Sequence, residues 1–307
     1  MSNSKKNIVC IGGGTGMSEV LLSLKSHDVH LTAIVSMADD GQSQAILRDQ
    51  YHVLPPSDVR KAMIALAEEE AVAKAFDSRF HGGPFDSFTI GSIVIAGLQK
   101  STGSFEKAIE EAGRMLKIKG EVIPVTLDDV RLMAELEDGT VIKGESNIDI
   151  PKGERAAIKK VWLEPQAKAN PKALKAISKA DIIIIGPGDL YTSIIPNFLV
   201  NGISEAIKQS KAKKVYLCNL MTKHGETDGY AVGDFVKAIE YYVLLDVVVC
   251  NNKKPSPVLL TRYHEAKSDF VEPSTAYLNV DLLADGDLIR HDSSTKLANT
   301  ILHVLRD

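Results

Sequence analysis

Apolar residues along the chain fall into short continuous runs separated by glycine-rich or polar breaks. Ile8 to Ile11 is one such run, broken by GGGTG (Gly12 to Gly16), and Met17 to Leu24 then carries apolar residues at helical spacing. Leu31 to Val35 is a second run, ending in SMADDG. Strand, glycine turn, helix, strand is a βαβ unit, and right-handed crossovers of this kind build parallel sheet. Three later runs extend the pattern. Asp181 to Ile185 leads into GPGDLYTS and a helix, Val215 to Cys218 into NLMTKHGETDGY and a helix, and Val243 to Cys250 reads as a further strand. Runs that are apolar at every position fit strands covered on both faces.

The middle of the chain is less regular. Pro55-Pro56 precedes Ser57 and Asp58, either of which can cap a helix running through Ala67. FHGGPF (Phe80 to Phe85) reads as a loop, Gly91 to Gln99 and Ser104 to Leu116 as helices, and Glu121 to Val125 as a strand. LMAELEDGTVIKGE then predicts an antiparallel hairpin turning at Asp138-Gly139. The expected fold is α/β: a doubly wound, mostly parallel Rossmann-like sheet with a small hairpin-containing insertion. We read residues 1–307 as a single domain, with a small subdomain at about 120–165. Trp162, the only tryptophan, falls in an alternating stretch there and reads as a packing residue.

Composition narrows the function without choosing it. The 307 residues are 44% hydrophobic and 25% charged, an ordinary globular balance. A formal net charge of -4 gives no electrostatic case for nucleic acid or an anionic membrane surface. No signal peptide or membrane-spanning stretch is read, so the expected location is cytoplasmic. Cys10, Cys218 and Cys250 each sit inside an apolar run without metal-ligand spacing, and read as small buried strand residues.

The candidate chemistry lies in the breaks. Gly12, Gly13, Gly14, Thr15 and Gly16 follow the first strand and open the first helix. Glycines there admit a phosphate to the backbone, and a helix amino terminus presents free N–H groups. No Gly-Lys-Ser/Thr follows, so the loop is not a Walker A loop. The third position of G-x-G-x-x-G, counted from Gly12, falls on Met17, which departs from the nicotinamide fingerprint. A tight turn without ligand is the alternative. Asp39 and Asp40 lie at the carboxyl end of the second strand, the edge that lines the ligand crevice in open α/β sheets. Two acids there can bind Mg²⁺, orient a hydroxyl or act as a general base, or simply form a turn. Asp58 is either a third acid in that crevice or a helix cap, and Arg48 and Arg60 are either placed to answer phosphate charge or are ordinary surface arginines. Gly186, Gly188, Tyr191, Thr192 and Ser193 repeat the glycine-loop arrangement and suit a second phosphate or a ribose. Asn219, Thr222, Glu226, Thr227 and Asp228 form a polar loop able to read a base or sugar. The histidines have no zinc spacing and no G-x-S-x-G elbow is present, so acyl-transfer nucleophiles are unsupported.

Five segments, IVCIGGGTGMSEVLLSLK, ADDGQSQAILRD, PPSDVRKAMIALA, ADIIIIGPGDLYTSIIPNFLVNGI and NLMTKHGETDGY, occur in this order from Ile8 to about residue 250. Together they resemble the gluconeogenesis-factor (YvcK-like, UPF0052) family, itself similar to the CofD group of 2-phospho-L-lactate transferases. The resemblance implies a Rossmann-like fold binding a nucleotide ligand. For the gluconeogenesis-factor branch it implies a UDP-sugar such as UDP-N-acetylglucosamine, with regulation of carbon flux, cell-envelope synthesis and cell shape. For the transferase branch it implies transfer of a phospholactyl group from a nucleotide donor to a deazaflavin, with Mg²⁺ held by Asp39 and Asp58. Two departures bear on that choice. The usual ADDGGSSGRLR is here ADDGQSQAILR, with Gln42 and Gln44 in place of small residues. The usual H-S-x-G-N is here SFTIGS, with Thr89 and Ser92 where His- and Asn-type ligands are more usual. The expectation is therefore a non-catalytic nucleotide-sugar-binding regulator, the alternative being a Mg²⁺-dependent transferase. A nicotinamide oxidoreductase rests on fold analogy alone. Related α/β proteins often pair as homodimers, and the sequence specifies no interface.

Overall fold

The computed structural model describes residues 5–306. Its strands, in chain order, are β1 (Lys6–Gly12), β2 (Val29–Val35), β3 (Glu121–Pro124), β4 (Arg131–Leu136), β5 (Val141–Lys143), β6 (Ile158–Glu164), β7 (Ile182–Ile185), β8 (Lys213–Leu217), β9 (Val247–Asn251) and β10 (Leu278–Val280). Seven of them form one sheet in the order β10-β9-β8-β7-β1-β2-β3, with every neighbouring pair parallel. β5-β4-β6 form a separate antiparallel sheet. The fold is thus the expected Rossmann-like α/β arrangement with a small hairpin-containing insertion.

Apolar residues at every position are what a strand covered on both faces requires. All four isoleucines of β7 are fully buried, as are Ile8, Cys10 and Ile11 of β1 and Ala33, Ile34 and Val35 of β2. Each such side chain contributes roughly 1.5–3 kcal/mol when removed from water, so these central strands anchor the fold. The helix Gly14–Leu24 packs on the helix Ser57–Leu66 and on the carboxy-terminal helix Lys296–Val304. Among the described residues, no helix is long and apolar enough to cross a membrane.

Strand order decides where a ligand can sit. From β1 the chain builds outward through β2 and β3 on one side, and through β7, β8, β9 and β10 on the other. The crossovers therefore diverge between β1 and β7, opening a crevice at their carboxyl ends. The two glycine loops leave the sheet at those two ends. Ile11 pairs with Ile185 across them, so loops 174 residues apart in sequence become neighbours.

Several local expectations are corrected. The run Val243 to Cys250 becomes a strand only from Val247. Before it, Asp246 is fastened to Lys214 by two backbone-involving bonds, and Val243 is buried beneath a turn that leaves Leu244 exposed. Neither Ser57 nor Asp58 caps its helix. Pro56 is the N-cap and makes no side-chain bond, and the helix ends at Leu66. The hairpin turns at Asp138-Gly139 as expected, with Gly139 at φ +86°, but β4 also pairs with β6 on its other edge. Thr89 caps the helix Ile90–Thr102, and its hydroxyl donates to Ser92 Oγ at 2.8 Å. All three cysteines are buried free thiols in or beside strands, as read from the sequence.

Candidate functional site

The first glycine loop is held by its own neighbours. Gly14 adopts φ +67°, a conformation L side chains rarely take, and its N–H donates to Asp58 Oδ1 at 3.1 Å. Asp58 thus lies against the amino end of the helix Gly14–Leu24, where a negative group is favoured. Lys61 Nζ stands 3.4 Å from the same oxygen. A Cβ on Gly16 would meet the Pro187 carbonyl oxygen at 2.7 Å, and one on Gly188 would meet Gly13 O at 3.2 Å. The two glycine loops therefore pack backbone on backbone. Thr15 is exposed beside them, and Gly12 and Gly186 are buried at their bases.

The second loop runs into one π-helical turn, Leu190–Ile194, that carries Tyr191, Thr192 and Ser193. Glu226 organises it from across the crevice. Its carboxylate accepts from Tyr191 N at 2.9 Å and from Thr192 Oγ1 at 2.8 Å. Burial and then Asp189 push the Glu226 carboxyl up to about 8. Tyr191 and Tyr230 share a hydroxyl–hydroxyl bond of 2.8 Å. Asn219 joins this half to the glycine loop, its Nδ2 donating to Gly188 O at 2.8 Å.

The acids of ADDG divide their roles. Asp39 faces the crevice. Burial first and then Asp58 raise its carboxyl above the ordinary range. Asp40 has a structural partner: its Oδ1 accepts from Ser146 N at 2.9 Å, and a Cβ on Gly144 would meet its Oδ2 at 2.4 Å. It caps the helix Glu145–Asp149, which belongs to the insertion. That helix brings Glu145 and Asp149 to the crevice, two acids the sequence reading missed. Burial, followed by Asp39, Asp149, Asp58 and Asp40, pushes the Glu145 carboxyl up to about 9.

At its other end the helix meets the NLMTKHGETDGY loop. Lys223 Nζ lies 2.9 Å from Asp149 and 3.5 Å from Asp189. Asp149, Asp189 and Glu226 each place an oxygen within 4.8 Å of the others. Arg155 ties the Asn147, Ile148 and Gly225 carbonyls together. The insertion thus spans the crevice from the first acid loop to the last polar one. The hairpin marked the insertion in the sequence, but nothing there marked the helix that follows it.

Other predicted residues work as scaffold. Thr222 is buried and exchanges backbone and hydroxyl bonds with Asp269, and Thr227 Oγ1 accepts from Lys223 N at 2.8 Å. Asp228 accepts from Gly225 N at 2.6 Å and pairs with His224. The two arginines are corrected. Arg48 is buried, bonded to the Asp39 and Val130 carbonyls and to Asp129, and Arg60 is buried with Nη1 at 2.5 Å from Asp77. Both already have protein partners where phosphate contact was expected.

A profile of the family described as 2-phospho-L-lactate transferase CofD matches residues 8–284. A putative gluconeogenesis factor of Thermotoga maritima is 46% identical, covering 97% of this chain and 99% of that one. The chain belongs to the CofD-like gluconeogenesis-factor family. A gluconeogenesis factor of Halalkalibacterium halodurans is 41% identical over 97% of this chain and 96% of its own. Within this family, the solved structure of a UPF0052 member from Bacillus halodurans superposes with a TM-score of 0.92 at 38% identity. It covers 97% of this chain and 99% of that one.

Proposed function

We propose that this family member binds a nucleotide-sugar, of the UDP-N-acetylglucosamine type, over the two abutting glycine loops at the carboxyl ends of β1 and β7, and acts as a regulator of carbon and cell-envelope metabolism. The observation that supports this most is the abutment of the loops at the switch point. Two backbone turns and the start of a helix converge there, an arrangement suited to a diphosphate. The polar side chains beyond them are already tied to one another, which gives a rigid cradle in which to orient a sugar. Thermal-shift or calorimetric titration of the full chain with UDP-N-acetylglucosamine, UDP-glucose, GDP and NAD, each with and without Mg²⁺, tests the reading. Saturable, metal-independent binding of a UDP-sugar without turnover is expected. No binding of any UDP-sugar would overturn it.

One observation favours the transferase alternative. Asp39 and Asp58 face each other closely enough to raise the Asp39 carboxyl, and Glu145 joins them. Carboxylate oxygens are the hard donors that Mg²⁺ takes. Under this reading Asp39 and Asp58 would hold the ion, which would supply charge neutralisation for a phosphoryl group. Under this reading GDP binds only with Mg²⁺, and Asp39→Asn abolishes turnover.

A further inference from the structure

The geometry points to a redox-sensitive modification site. We propose that Cys218 and Cys250 form a reversible disulfide that resets the polar loop beginning at Asn219.

β8 and β9 run parallel in the register Val215↔Val247, Tyr216↔Val248, Leu217↔Val249. Cys218 and Cys250 continue that register by one step, and Cys218 N donates to Val249 O at 2.9 Å, as a parallel pairing requires. Neighbouring strands lie about 4.8 Å apart, within the roughly 4.4–6.8 Å Cα separation that disulfides span. Residues at the same level of adjacent strands also point to the same face. The two side chains are near enough that each shifts the ionisation of the other. Cys10 lies on β1, separated from β8 by β7, and has neither cysteine beside it.

The pair is asymmetric. Contact with Cys218 holds the Cys250 thiol below its ordinary range against the effect of burial, and the Ser274 N–H adds to this. Contact with Cys250 and burial hold Cys218 well above its own. Cys250 also lies nearer the edge of the sheet, next to the edge strand β10. Over it lies the segment around Ser274, where Glu272, Pro273, Thr275 and Ala276 are exposed, beside the three-residue edge strand β10. Local opening of this edge admits a small oxidant to a thiol that is otherwise buried.

The co-reactant is a hydroperoxide. The Cys250 thiolate attacks one peroxide oxygen, the O–O bond breaks, and an alcohol or water leaves, carrying the proton and leaving a sulfenic acid. Cys218 sulfur then attacks the Cys250 sulfur, forming the S–S bond and expelling water. Two thiols and one hydroperoxide give one disulfide, one alcohol and one water. A thiol reductant reverses the change.

The loop responds because Cys218 immediately precedes Asn219. The Tyr216 hydroxyl donates to Asn219 Oδ1 at 3.3 Å, and Asn219 Nδ2 donates to Gly188 O. Drawing the sulfurs to bonding distance shifts the strand end and strains this chain of contacts.

Reduced full-length protein is treated with stoichiometric hydrogen peroxide, alkylated in denaturant, digested and analysed by mass spectrometry. The peptides bearing Cys218 and Cys250 should be recovered as one cross-linked species, two hydrogens lighter, that dithiothreitol separates. Cys10 should remain alkylatable. In Cys218→Ser, or Cys218→Ala should serine disturb the fold, dimedone should trap a sulfenic acid on Cys250. Hydrogen exchange across residues 219–223 should change several-fold on oxidation of the wild type. Absence of the cross-link at peroxide levels that oxidise methionine would overturn the site. A cross-link involving Cys10 would do the same, and a cross-link with unchanged exchange would overturn the switch.

Discussion

Replacing Glu145 with glutamine should stabilise the fold, and by more as pH rises. The insertion helix holds this carboxyl against Asp39, Asp149, Asp58 and Asp40, and with burial they push it from 4.5 to about 9. An acid raised in this way binds more protons folded than unfolded. Its contribution to stability is complete below pH 4.5 and is lost as pH rises through 9. From pH 4.5 to 7 is 2.5 pH units, and each is worth about 1.4 kcal/mol. Glu145 therefore costs the fold about 3.5 kcal/mol at pH 7, a large fraction of an ordinary domain's stability. Glutamine keeps the size and removes the charge. Urea unfolding of both proteins at several pH values, with m checked for constancy, reads the difference directly. The variant should gain about 0.7 kcal/mol near pH 5 and about 3.5 kcal/mol at pH 7, a slope of roughly 1.4 kcal/mol per pH unit. A pH-independent difference, or a less stable variant at pH 7, would refute the reasoning and mean that Glu145 is paired and charged.

Other substitutions probe the scaffold. Gly16→Ala places a Cβ 2.7 Å from the Pro187 carbonyl oxygen, which is backbone and gives way only if the loops part. It should cost about 1–3 kcal/mol in chemical denaturation, and an unperturbed Tm would argue against tight loop packing. Arg48→Ala removes the donor shared by the Asp39 and Val130 carbonyls and Asp129. A loss of about 2–4 kcal/mol is expected from the stranded buried acceptors, and a loss below 1 kcal/mol would return Arg48 to the pool of ligand-binding candidates. Asp40→Ala removes the cap on Ser146 N. The expected cost is about 1 kcal/mol, seen as faster hydrogen exchange in residues 144–149, and unchanged exchange there would count against the capping role.

What the sequence disclosed follows from how local each signal is. β1, β2, β7 and β8 are apolar wherever the sheet covers both faces, so their runs mark them directly. The same property misled at Val243, which is buried under a turn and looks from sequence like the first residue of a strand. A buried turn and a buried strand present the same composition, and only the bonds between Asp246 and Lys214 separate them.

The glycines are a subtler case. A glycine needed for a phosphate and a glycine needed for a neighbouring backbone carry the same letter, and Gly16 and Gly188 turn out to face the opposite loop. Loops locked to each other in this way hold their backbone in fixed positions, which under the proposed function leaves little ordering to be done on ligand binding. Glu145 shows the opposite limit. It reaches the crevice only because a hairpin folds back from the far side of β3 and because Asp40, in the loop after β2, caps its helix. Asp40 reads from sequence as an acid beside Asp39, and what no local pattern shows is that its oxygen is bonded to a residue 106 positions away. Adjacent acids at the end of one strand thus point to different tasks. Asp39 meets the crevice, and Asp40 imports two further carboxylates into it. The insertion therefore sets the charge of the site, and removing its anchor should change the site's affinity for anions before it changes the fold of the seven-stranded sheet.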